Sequence, residues 1–355
     1  MKKWLFCALL CLLLCGCGRD AAQLTVVTGI GVDGNVGEYQ VGAEVIRLSE
    51  GSQDSQSVYL RGNGITVTDS INNMVSMTGR SLYCNHTQVL IVSRETAENG
   101  MEPILEELLR GTQYPISLRM AVSKETAAET LRAKPVVSDL HSVELEDMIR
   151  EGARQCLTPD MDVSSFYQQI AAPGIEGILP FMMLEERAGE QVCSLAGTAL
   201  FRGDQMIGIL DEHDSRCLMW MSGKHGGTLV TEHAVFEVMS LDRRISADKN
   251  GGTLSLKLIL KASDSEENRE ALIREAEKEL RRRCMSLLTR LRQLECDAVG
   301  FGNRIYQTHP KQWAQLEEDW RSAFADYPIT VEVEIENLIW GRIWTQDLQE
   351  EHHGS

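Results

Sequence analysis

LTVVTGIGVDG, residues 24–34, places Gly29, Gly31 and Gly34 in the spacing G-x-G-x-x-G directly after an apolar run that reads as a β-strand. In a dinucleotide-binding fold such glycines turn a strand into a helix, whose first N–H groups then hold a pyrophosphate. The chain after the glycines must then be helical. Instead, after Asn35, Val36, Gly37 and Glu38 comes YQVGAEVIRL, in which Tyr39, Val41, Ala43 and Val45 alternate with Gln40, Gly42, Glu44 and Ile46. Period two belongs to a strand, not to a helix. Asp33, Gly34 and Asn35 supply the positive-φ chemistry of a hairpin turn, so the stretch reads as two antiparallel strands that need no nucleotide.

Upstream of this hairpin the chain opens MKKWLFCALLCLLLCGCGRD, with Lys2 and Lys3 ahead of an uncharged apolar run from Trp4 to Cys15. The run is too short for a stable membrane span and fits the apolar region of a secretory signal. Leu14, Cys15, Gly16 and Cys17 resemble a bacterial lipobox. That resemblance implies cleavage after residue 16 and makes Cys17 the lipid-carrying mature N-terminus. Two or more acyl chains on one residue give lasting attachment, since each buried CH₂ contributes about 0.8 kcal/mol. The expected location is the outer face of a bacterial cytoplasmic membrane.

The formal net charge of the chain is −17, from 35 Lys and Arg against 52 Asp and Glu. Nucleic acid and anionic headgroups repel such a chain, so no nucleic-acid partner is expected. The mature length calls for two or three domains. Besides Cys17, the mature part holds Cys84, Cys156, Cys193, Cys217, Cys284 and Cys296, scattered without a C-x-x-C pair or a Cys/His spacing suited to zinc. Disulfides outside the cytoplasm and buried core thiols both fit that scatter.

Along the chain, strands and helices succeed one another in the manner of an α+β protein. Asp69 is the expected cap of a helix carrying Ile71, Met74 and Val75, TQVLIVS reads as a strand buried on both faces, and one helix is expected from Arg94 through Leu109. PISLRMAVS, residues 115–123, reads as a strand, and a helix capped by Ser138 or Asp139 comes further on. Gly174, Gly177, Pro180 and the charged EERAGEQ place the main domain boundary near 190. In TLSLKLILK, Leu254, Leu256, Leu258 and Leu260 share one face. The longest helix is expected from about 265 to 295, with Ile273, Leu280, Leu287 and Leu294 at heptad spacing. Its Arg281, Arg282, Arg283, Arg290 and Arg292 read as a solvated face balanced by Glu275, Glu277 and Glu279, with a docking surface as the alternative. A helix over residues 310–325 and an antiparallel strand, ITVEVEIENLIW, close the chain. The expected architecture is multi-domain α+β: mixed or antiparallel sheets packed with helices, including one long amphipathic helix near the C-terminus. The expected segments are a signal peptide (1–16), a lipidated tether (17–23), an N-terminal α/β domain (24–134), a middle helical region (135–190), a C-terminal α+β domain (191–346) and a polar tail (347–355).

Linear signatures of catalysis are missing: G-x-S-x-G, H-E-x-x-H and the phosphate-binding G-x-x-x-x-G-K-[ST] do not occur. His213, His225 and His233 form one loose group, and HGGTL at 225–229 reads as a tight turn rather than an oxyanion loop. No catalytic, cofactor or metal residue is assigned.

The lipobox cysteine, LTVVTGIGVDG, TGRSLYCNHTQVLIVSRETAENGMEPILEELLR, GTALFRGDQMIGILDEHDSRCLMWMSG, DAVGFGNRIYQTHPKQWAQLEEDW and ITVEVEIENLIWGRI occur in the order found in one family. In that order the chain resembles the C subunits of spore-germination nutrient receptors, the Ger(x)C family. The resemblance implies a non-catalytic lipoprotein on the outer surface of the spore inner membrane, working with integral-membrane A and B subunits and held to the bilayer through acylated Cys17. Two other readings stay open from the residues alone: a solute-binding lipoprotein of a transporter, and a cell-envelope hydrolase.

Overall fold

A computed structural model of the chain describes residues 25–47, 56–262 and 268–340. The opening stretch forms β1 (Thr25–Asn35), which turns back into β2 (Glu38–Arg47) with Asn35 opposite Glu38. The turn is Val36 and Gly37, directly after the cluster expected to form it, and the hairpin itself is as expected. Gly29 and Gly31 serve a different purpose from phosphate binding. A Cβ at Gly29 would stand 2.7 Å from the Ser142 side chain, and one at Gly31 would stand 3.0 Å from the Ala127 carbonyl. These two glycines let two helices lie directly on the strand.

A nine-stranded sheet grows from this hairpin in the order β3-β2-β1-β5-β6-β7-β8-β9, with β4 beside the start of β1. Its strands are β3 (Gln56–Gly64), β4 (Leu82–Tyr83), β5 (Val89–Ser93), β6 (Arg119–Ser123), β7 (Ile178–Arg187), β8 (Glu190–Arg202) and β9 (Gln205–Leu210). Strands β1, β5, β6 and β7 run parallel, flanked by antiparallel strands at both ends. Every residue of β5 is buried, because helices cover both faces. One face carries α5 (Ala127–Arg132) and α6 (His141–Arg154) over Val89, Ile91 and Ala121. The other carries α1 (Val67–Asn73), α2 (Val75–Thr78), α3 (Arg94–Asn99), α4 (Glu102–Arg110) and α7 (Val163–Ala171), with Ile104, Leu105 and Phe166 packed over Leu90, Val92 and Met120.

The second sheet has the order β10-β11-β12-β13, from Thr228–Val230, Val235–Asp248, Gly251–Ala262 and Ile329–Trp340. In β12 burial alternates strictly, and Leu254, Leu256, Leu258 and Leu260 face α9 (Arg269–Gln293). Each of these buried leucines contributes about 2 kcal/mol. Before this sheet comes α8 (Glu212–Met221), and after α9 come α10 (Phe301–Thr308), α11 (Pro310–Trp313) and α12 (Trp320–Asp326).

Several sequence expectations are corrected. Strand β13 pairs with β12 in parallel, not antiparallel, because the 25-residue α9 crosses over between them. The β7–β8 hairpin turns where Arg187 faces Glu190, and residues 191–210 continue the first sheet. Thr66 rather than Asp69 caps α1, with Asp69 accepting from the Ile65 N–H at 3.0 Å. Neither Ser138 nor Asp139 caps α6, whose cap position is Leu140 with no side-chain bond of its own. Gly100 divides the helix expected from Arg94 to Leu109, and only Arg119–Ser123 of PISLRMAVS is strand. The helix expected over 310–325 is broken into α11 and α12. In a continuous helix Trp313 and Trp320 would stand about 10 Å apart along the axis; the break brings their rings to 5.8 Å.

Candidate functional site

The residues singled out in the sequence fall in different places. Leu14, Cys15, Gly16 and Cys17 lie outside the described residues. His213, His225 and His233 are all exposed, and His233 pairs with Glu275 at 3.2 Å. Among the described residues no three His, Cys, Asp or Glu side chains converge on a metal position. The six cysteines among the described residues are buried and unbridged, although Cys217 Sγ lies 3.6 Å from Cys284 Sγ. Burial pushes the Cys84 and Cys193 thiols up to about 12 and Cys156 up to about 11, so these are core groups with little thiolate.

The arginines of α9 are neither a purely solvated face nor a free docking patch. Arg290 binds Asp214 at 2.6 Å and the Ile209 carbonyl at 2.7 Å, Arg283 reaches the Val230 carbonyl at 2.5 Å, and Arg292 donates to the Tyr327 carbonyl. Arg282 and Arg283 both bind Glu279, whose carboxyl they hold down at about 2. These arginines tie α9 to its neighbours.

Carboxylates reaching across the fold are what sequence reasoning missed. Glu44 of β2, 5% exposed, accepts from the His141 and Ser142 N–H groups at 3.1 and 2.8 Å and so caps α6 in place of a local residue. Asp33 accepts from Ala127 and Ala128 at the start of α5, at 2.7 and 3.0 Å. Burial raises the Asp33 carboxyl, against the pull of those N–H donors. Glu107 of α4 does the same for α1 through Val67 and Thr68, at 3.0 and 2.6 Å.

The densest such node joins the two halves of the chain. Asp297, 2% exposed, takes the Gly300 and Phe301 N–H groups on Oδ1 and the Gly302 N–H and Trp320 Nε1–H on Oδ2, at 2.7 to 3.2 Å. Its backbone carbonyl accepts from Glu176 N at 3.1 Å, and Glu176 binds Arg321 at 2.6 Å. Gly174 accepts from Asn303 N at 2.7 Å, so close that a Cβ there would stand 2.3 Å from the Gly302 carbonyl carbon. Beside this node a cleft of about 1140 Å³ opens between α6, α7, the segment after α8 and β11. Residues of β6, β7 and β11 line this cleft together with those of the helices, so both sheets contribute to it.

Residues 18–184 match the family described as the spore germination protein N-terminal domain, and residues 196–337 match the family described as spore germination B3/GerAC like, C-terminal. The chain belongs to the GerAC family of spore germination proteins. It is 21% identical over 370 residues to the YfkR protein of Bacillus subtilis (strain 168), covering 93% of this chain and 95% of that one. To spore germination protein KC of the same organism it is 22% identical over 365 residues, covering 89% of each. The crystal structure of the GerBC protein superimposes with a TM-score of 0.56 over 87% of this chain and 96% of that chain, at 14% identity, which shows the shared fold. A role in spore germination follows from membership of the GerAC family, which is a family of germinant-receptor subunits rather than a known enzyme family. Among the described residues of this GerAC-family chain no helix is long and apolar enough to cross a membrane.

Proposed function

We propose that the chain is the lipid-anchored, non-catalytic C subunit of a spore-germination nutrient receptor, acting at the outer face of the spore inner membrane with integral-membrane A and B subunits. The observation that carries this reading is the family match along nearly the whole mature length, beginning at residue 18, directly after the lipobox cysteine. A chain held by acylated Cys17 is confined to a thin layer, where its effective concentration near membrane partners far exceeds that of a free protein. The cross-braced sheets support a recognition role, because fixed elements present a partner surface without an ordering cost. A Cys17→Ala variant tests the anchor. It is expected to leave the membrane fraction and to lose nutrient-triggered germination; normal germination with the variant soluble would refute the reading.

A further inference from the structure

The cleft beside the Asp297 node reverses the charge of the protein around it. Arg119, Arg150, Arg154, Lys224 and Arg243 line it, against Asp160 and Glu237. Three of the five cations are neutralised in place: Arg119 by Asp160 at 2.6 Å, Arg150 by Glu146 at 3.5 Å and Arg154 by Glu151 at 2.5 Å. Glu237 is taken by Lys261 at 3.2 Å. Lys224 and Arg243 are left with no ion-pair partner among the described residues.

Arg243 packs against the residue that precedes Lys224 in the chain. The Arg243 stem lies against Gly223, with its Cδ 3.3 Å from where a Cβ would stand on that residue. The Arg243 guanidinium donates once, to the Val299 carbonyl at 2.6 Å, and its buried Nε–H has no acceptor. A desolvated guanidinium N–H without an acceptor is unfavourable, and an oxyanion relieves it.

The loop at 225–227 completes the set. It is pinned through its carbonyls: Gly226 O accepts from Trp220 Nε1 at 3.0 Å and Gly227 O from Val238 N at 3.0 Å. The N–H groups of His225, Gly226 and Gly227 take part in no hydrogen bond among the described residues. Gly226 and Gly227 both hold positive φ, packed under the Arg154 and Gln155 carbonyls, and unpaired N–H groups in a turn are donors open to an anion.

We propose that this cleft binds a small ligand through an oxyanion, a carboxylate or a phosphate, gripped by Lys224, Arg243 and the N–H groups of residues 225–227. The site is independent of the lipid anchor and the membrane partners, so its failure leaves the subunit reading intact.

The test is titration calorimetry on the full chain in detergent micelles, with inorganic phosphate and succinate as separate probes. One probe is expected to bind at a single site, and which one it is identifies the oxyanion. Lys224→Gln and Arg243→Gln are each expected to weaken binding about tenfold or more. Lys224 makes no ion pair among the described residues, so Lys224→Gln keeps the wild-type melting temperature and separates ligand loss from misfolding. A control, Lys278→Gln on α9, removes the same charge away from the cleft and leaves binding unchanged. Absence of binding by both probes up to about 10 mM, or equal binding by wild type and Lys224→Gln, would overturn the proposal.

Discussion

Replacing Asp297 by Asn keeps the size and shape of the side chain and changes only one oxygen into an NH₂ group. In the wild type all four hydrogen bonds to this carboxylate come from donors, two on each oxygen. An amide supplies one acceptor atom, so in either orientation two buried N–H groups face a donor. With Oδ2 replaced these are the Gly302 N–H and the Trp320 indole. Each buried donor stripped of its acceptor costs about 1–3 kcal/mol, which places the loss at about 4 kcal/mol. Urea unfolding of wild type and variant, followed by circular dichroism, measures it directly. The pH dependence adds a second readout. Burial pushes the Asp297 carboxyl up to about 6, with the four donors pulling it back towards the ordinary value of 3.8. The folded state therefore binds this proton more tightly than the unfolded chain does. As pH falls from about 6 towards 3.8 the wild type gains stability from proton uptake, and that gain is lost as pH rises back through 6; the Asn side chain takes up no proton and gains nothing. A loss below about 1 kcal/mol, or a wild-type-minus-variant difference that is flat across that window, would refute the assignment of Asp297 as the node of the junction.

Three further outcomes are expected from the same geometry. Glu44→Gln removes one of the acceptors at the start of α6 and is expected to cost about 1–2 kcal/mol in the same unfolding assay, with α6 amides exchanging faster with deuterium. Gly174→Ala, at φ +70 and with no room for a Cβ, is expected to lower the melting temperature by about 4–8 °C, measured by scanning calorimetry. Cys84, Cys156, Cys193, Cys217, Cys284 and Cys296 are expected to resist alkylation at pH 8 in the native protein and to react once it is unfolded, as read by peptide mass mapping.

The opening hairpin is legible in the sequence because alternation in YQVGAEVIRL contradicts the helix that a nucleotide loop requires. The buried strand in TQVLIVS and the leucine face of β12 are legible for the same reason, since period and burial are local signals. Direction is not. The acidic alternation of β13 reports which face is wet and says nothing of whether the neighbour runs parallel; the length of α9 before it is the available clue. The turn in EERAGEQ is legible from its Gly and charged composition, while the pairing of β7 with β8 on either side of it is not. The caps supplied by Glu44 and Asp33 lie more than ninety residues from the helices they hold, so no local pattern encodes them. His225, Gly226 and Gly227 are visible as a turn, while the two unpaired cations beside them become apparent only when β11 is folded against the end of α8.

Whether this GerAC-family chain works as an anchored subunit beside two membrane partners can be decided by affinity purification. The tagged protein is drawn from detergent-solubilised spore membranes and the co-purifying chains are identified by mass. A many-span membrane protein together with a second membrane-bound chain is expected in the eluate, and both are expected to be lost with Cys17→Ala. Recovery of a transporter permease, or of this protein alone with a bound solute, would contradict the subunit role.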